Sequence, residues 1–168
     1  QTETGERLIA SDAVFSMDGD CAPVVELAGL ATEHDAWLLV DDAHGFGVLG
    51  RQGRGWLLGQ LPAVPDNVIL MATLGKGLGT FGAFVAGSES LIETLQARTF
   101  IYTTAPPPAL AWATRTALQL VRDGDDLRDR LRARVAQFRS AAAELGLPLM
   151  ASDTPIQPLL VGDSGAAL

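Results

Sequence analysis

Three short apolar runs, Trp37–Val40, Val68–Ala72 and Ala83–Ala86, limit what this chain can fold into. Each has the length of a strand and is apolar at consecutive positions, the pattern of a strand buried on both faces. Helical periodicity fills the segments between and after them, and such alternation predicts an α/β fold with a mostly parallel sheet and helices on both faces. Leu8–Phe15 reads as a further strand. Pro23 opens a helix over Val24–His34 with Val25, Leu27, Leu30 and Ala31 on one face. Ser88 is placed to cap a helix that turns Leu91, Ile92 and Leu95 inward. After Pro106-Pro107-Pro108 a helix runs to about Arg122, Gly124 breaks it, and an Arg-rich amphipathic helix comes next over Asp125–Leu145, its arginines forming a solvated face. Ile156–Val161 reads as one more strand. Residues 1–123 are expected to belong to a large cofactor-binding domain, and 124–168 to supply a connecting helix and the start of a smaller α+β domain.

Composition removes several classes of function. A formal net charge of −8 argues against a nucleic-acid partner, because neutralising a phosphate backbone needs clustered Lys and Arg. No apolar run approaches the roughly 20 residues that span a bilayer, so a cytoplasmic protein is expected. Cys21, the single cysteine, has no partner for a disulfide or at metal-ligand spacing and reads as a small half-buried side chain. The first residue is Gln1, and the last residues include Ser164-Gly165-Ala166-Ala167, which resembles a helix start. The expectation is a piece of a longer protein, inactive when alone.

Chemistry gathers where the apolar runs stop. The first ends in Asp41-Asp42-Ala43-His44-Gly45, which places acid and imidazole at the carboxyl edge of a strand, where open α/β sheets hold ligands. Asp and His also cap loops, so a structural role stays open at this point. The second run ends in Thr73-Leu74-Gly75-Lys76-Gly77-Leu78-Gly79. The chain has eleven arginines and one lysine, Lys76. A primary amine forms a Schiff base with an aldehyde and a guanidinium does not. Pyridoxal phosphate needs such an amine and a carboxylate facing its pyridinium nitrogen. Lys76 and Asp41 supply both, although compositional bias alone could leave one exposed lysine in a glycine-rich loop. Gly77-Leu78-Gly79-Thr80-Phe81-Gly82 also matches a dinucleotide fingerprint, but the Ala-Phe-Val-Ala after it is strand-like, where that fingerprint requires a helix.

Taken together, Val14-Phe15-Ser16-Met17-Asp18-Gly19-Asp20, Val40-Asp41-Asp42-Ala43-His44-Gly45-Phe46-Gly47-Val48-Leu49-Gly50 with Gly53-Arg54-Gly55, and Thr73-Leu74-Gly75-Lys76 resemble the α-oxoamine synthases. The resemblance implies the large domain of a fold-type I pyridoxal-phosphate transferase, incomplete here, working as a homodimer. It implies that Lys76 carries the Schiff base, Asp41 pairs with the pyridinium nitrogen, His44 and Ser16 lie by the cofactor's phenolic oxygen, and Thr73 binds its phosphate. Thr103 and Thr104 would reach the phosphate of the neighbouring subunit. Ala43-His44-Gly45, Ile101–Pro108 and Ile156–Asp163 most resemble the branch that condenses L-alanine with a pimeloyl thioester, on coenzyme A or a carrier protein, in biotin biosynthesis. By the same resemblance the family's ring-stacking histidine and glycine-rich phosphate turn would lie before Gln1, and its carboxylate-binding arginine after Leu168. A relative using glycine with acetyl- or succinyl-coenzyme A, a fold-type I aminotransferase, and a non-catalytic binding module remain alternatives.

Overall fold

The computed structural model describes residues 5–61, 63–98, 102 and 104–167. Four strands, β1 (Arg7–Asp12), β2 (Ala36–Asp41), β3 (Val68–Thr73) and β4 (Ala83–Ala86), form one sheet in the order β1-β2-β3-β4. The first two pairings are parallel and β3 with β4 is antiparallel. The helices are α1 (Val24–Glu33), α2 (Trp56–Gln60), α3 (Glu89–Arg98), α4 (Pro108–Asp123) and α5 (Asp125–Glu144).

Alternation along the strands explains where the core sits. Ala36, Leu38 and Val40 of β2 point the same way as Val68, Leu70 and Ala72 of β3, and all six are buried. Val24, Ala28 and Ala31 of α1 and Leu57 of α2 pack on that face. Burial of each large aliphatic side chain there contributes about 1.5–3 kcal/mol. Trp37, Leu39, Ile69 and Met71, on the other face, are only half-buried. That face continues past the strand ends into the residues of chemical interest.

The structure corrects several expectations. β1 ends at Asp12, not at Phe15, because Val14 turns to bridge Cys21 in a tight hairpin closed by Phe15 N–H to Asp20 O at 3.0 Å. The buried stripe of α1 is Val24, Ala28 and Ala31 with Leu27 beside it; Val25 and Leu30 are 48% and 45% exposed. Alanines at that stripe let the helix sit close to the sheet. Ile156–Val161 is not a strand: only a Leu149–Leu159 bridge forms, with Met150 N–H to Pro158 O and Leu160 N–H to Pro148 O, each at 3.1 Å. Pro158 has no N–H with which to extend a ladder. The arginines of α5 are not uniformly solvated. Arg128 is 5% exposed, donates to Val121 O at 2.7 Å and to Asp125, and so folds α5 back on the end of α4.

Candidate active site

The carboxyl ends of β1, β2 and β3 carry the site. Asp12 and Asp41 are register partners on adjacent strands, and Asp41 pairs in turn with Met71, two residues before Thr73. Alternation therefore sets Asp12, Asp41 and Thr73 on the half-buried face. Asp41 Oδ1 accepts the Ala43 N–H at 2.9 Å, which anchors its carboxylate at the strand end. Past β2, Phe46 N–H and Gly45 N–H bond back to Asp42 O at 2.8 and 3.2 Å, and this turn swings His44 over the edge of the sheet.

The 74–82 connection is a folded turn between antiparallel strands. Leu74 N–H bonds Gly82 O and Thr80 N–H bonds Leu74 O, both at 2.8 Å, and Gly79 N–H bonds Lys76 O at 3.0 Å. Gly82 leads directly into strand β4, so the dinucleotide fingerprint fails on its structural context. Two loops meet at this turn. A Cβ on Gly77 would lie 2.5 Å from Phe46 O, so only glycine permits the close approach of the 43–55 and 74–82 segments. That contact brings Lys76 Nζ within 2.8 Å of His44 Nε2.

Burial, then the neighbouring Lys76, lower the His44 pKa, against the smaller opposing pull of Asp12 and Asp41. The ring is therefore neutral near pH 7. Where the Lys76 amine donates across this contact, Nε2 accepts and the ring proton sits on Nδ1. Lys76 itself is exposed at the mouth of the site. An accessible amine, a carboxylate on the adjacent strand end and a neutral imidazole form a donor set suited to pyridoxal phosphate.

Thr73 Oγ1 donates to Gly82 O at 3.1 Å and accepts the Gly75 N–H at 3.3 Å, so contact with a phosphate requires its hydroxyl hydrogen to turn. Ser16 is exposed in the Val14–Cys21 hairpin. Thr104 is exposed, and Thr103 lies outside the described residues. Burial, then Asp20, raise the Cys21 thiol pKa and keep it protonated, in accord with a packing role. Asp12 and Asp42 do not stand out in the sequence as site residues. Only the strand register reveals Asp12, whereas the adjacent acids Asp41-Asp42 carry a signal, since alternation must turn one of them inward.

Comparison with known proteins decides the family. The sequence profile for aminotransferase class I and II matches residues 1–168. The chain belongs to the aminotransferase class I and II family. Within this family it is 59% identical, over 99% of its length, to 8-amino-7-oxononanoate synthase of Nitrosococcus oceani, of which it covers 45%. The chain thus spans less than half the length of the curated relatives it matches. Among solved structures, 8-amino-7-oxononanoate synthase from Francisella tularensis superposes with a TM-score of 0.83 at 31% identity, covering 99% of this chain and 50% of that one. Serine palmitoyltransferase from S. paucimobilis, with a bound PLP–myriocin aldimine, gives a TM-score of 0.87 at 25% identity over 99% of this chain and 44% of that one. The α-oxoamine synthase resemblance and the fold-type I architecture are borne out. Among the described residues no helix is long and apolar enough to cross a membrane.

Proposed function

We propose that the complete protein condenses L-alanine with a pimeloyl thioester, carried by coenzyme A or a carrier protein, to give 8-amino-7-oxononanoate, carbon dioxide and the free thiol. The observation that carries this reading is the 2.8 Å contact between Lys76 and His44 at the sheet edge beside Asp41. The 59% identity to 8-amino-7-oxononanoate synthase, against 25% to serine palmitoyltransferase, favours the pimeloyl branch over other acyl donors.

Pyridoxal phosphate, when bound, supplies an electron sink for the charge that develops at the alanine Cα. Lys76 would hold it covalently, and Asp41 would be the carboxylate that keeps its ring nitrogen protonated. The free Lys76 amine would remove the Cα proton of alanine. His44, neutral with Nε2 unprotonated, holds that amine in line and stands where it can hydrogen-bond the phenolic oxygen. Alanine Cα attacks the thioester carbonyl, the C–S bond breaks and the thiolate takes up a proton. The carboxylate of alanine then leaves as carbon dioxide, and Lys76 returns a proton to Cα. Ser16 and Thr73 are assigned to the phenolic oxygen and the phosphate.

The same reading gives a homodimer in which Thr103 and Thr104 reach the partner's cofactor phosphate. Support comes from exposure: Tyr102 is 95% and Trp112 71% exposed, and Leu118 and Leu120 of α4 also face outward. The domain division at Gly124 belongs to this reading too. The test is to supply the full-length protein with L-alanine and pimeloyl-coenzyme A, or with glycine and acetyl-coenzyme A, and compare kcat/KM. Preference for the first pair is expected, and faster condensation of the second would overturn the assignment.

A further inference from the structure

Asp42 neighbours Asp41 in sequence but faces the opposite side of the sheet. It is completely buried, and the ion pairs among the described residues all lie within α5, so it has no cationic partner there. Its Oδ2 accepts the Leu57 N–H at 2.9 Å, fifteen positions further on. Helix α2 begins there after Gly55 and has no capping side chain of its own, so Asp42 caps it from the far end of a long loop. Backbone crowds the carboxylate on both sides. A Cβ on Gly55, whose φ is +94°, would lie 2.3 Å from Oδ2, and one on Gly45 would lie 2.0 Å from Oδ1. Oδ1 is the one buried side-chain oxygen among the described residues that meets no hydrogen-bond partner. A carboxylate held in this way is costly, and nothing in the chemistry assigned to Lys76, Asp41 and His44 uses it.

The loop whose base Asp42 closes is the one that carries His44. The same loop seats Phe46 O and Gly47 on Gly77, next to Lys76. We propose that Asp42 is a positioning residue: by closing the base of the 43–56 loop from inside the core, it holds His44 Nε2 against Lys76 Nζ. This rests on the reading of Lys76 and His44 as the reactive pair, and it acts on their alignment, not on substrate binding.

The test uses the full-length protein. Asp42→Ser removes the link to Leu57, and Asp42→Asn is the isosteric variant that keeps one acceptor oxygen. In the cofactor-loaded enzyme, Asp42→Ser is expected to lower kcat by about tenfold or more while KM for both substrates stays within about threefold. Asp42→Asn should recover most of that loss. On a His44→Ala background, Asp42→Ser should cost less than about twofold, because the residue it serves is gone. The cofactor-free protein gives an independent readout: the His44 imidazole resonances and the amide exchange of residues 43–56 should change in Asp42→Ser and stay close to the wild type in Asp42→Asn. Equal losses with and without His44, unaltered His44 resonances and loop exchange in Asp42→Ser, or a kcat reduced about tenfold or more in Asp42→Asn, would overturn the proposal. If borohydride labelled a residue other than Lys76, the functional reading would fail, and the resonance measurement would still decide the role of Asp42.

Discussion

Lys76 Nζ lies 2.8 Å from His44 Nε2, although 32 positions separate the two residues along the chain. Neither side chain sits in a regular element. Each projects from a turn at the end of a parallel strand, and the turns meet where Gly77 lies against Phe46 O. This contact is thus a consequence of pairing β2 with β3 in one register, and a slip of one residue would turn Asp41 into the core.

Borohydride reduction of the full-length, cofactor-loaded protein should leave the pyridoxyl group on Lys76, located by peptide mapping. Lys76→Ala should bind no cofactor covalently, and Lys76→Arg should behave alike, because a guanidinium does not form the bond.

Asp41→Asn should retain cofactor yet lose turnover by about 100-fold or more, since an amide no longer holds the ring nitrogen protonated. Absorbance titration with pyridoxal phosphate checks retention, and steady-state kinetics check turnover. Near-normal turnover would remove Asp41 from its assigned place.

Burial raises the Asp42 pKa from its ordinary 3.8 to about 6, with the N–H groups of Leu57 and Trp56 pulling in the opposite direction. A folded-state pKa above the unfolded one means that the native protein binds the extra proton between those values, so stability falls as pH rises from about 4 to 6. At about 1.4 kcal/mol per pH unit, the contribution of Asp42 to this fall is of the order of 3 kcal/mol. Urea denaturation of the full-length protein at pH 4.5 and pH 7, an interval that spans about 2 kcal/mol of this fall, should show the loss in the wild type and its absence in Asp42→Asn. Equal pH dependence in the two proteins would mean that folding leaves the Asp42 pKa unshifted.

Gly19 O accepts hydrogen bonds from Ser152 Oγ at 2.8 Å and Thr154 Oγ1 at 3.0 Å, both hydroxyls being buried. These bonds tie the hairpin that carries Ser16 to a segment more than 130 positions away. Thr154→Val keeps the shape but removes the hydroxyl, which also accepts the Ile156 N–H. It should destabilise the full-length protein by about 1–3 kcal/mol, with Thr154→Ser restoring most of the loss. Chemical denaturation measures the loss, and no change would mean that water replaces the hydroxyl.

Much of this protein is legible in one dimension. The uninterrupted apolar runs Trp37–Val40 and Val68–Ala72 have no other stable use than strands with a covered face. Their polar ends then have to lie at a carboxyl edge, and the single lysine, Lys76, marks where an amine chemistry is proposed. Local patterns of this kind survive because burial and the covalent reactivity of an amine belong to the residues themselves. Tertiary structure decides whatever depends on partners distant in the chain. It chooses which stripe of α1 is buried, turning Val25 and Leu30 outward because the sheet admits alanine at close range. It withholds strand pairing from Ile156–Val161, and it draws Arg128 out of a solvated face to close on Val121 O. It also separates two adjacent aspartates: alternation along β2 sends Asp41 to the site and Asp42 into the core, where the N–H of Leu57 receives it.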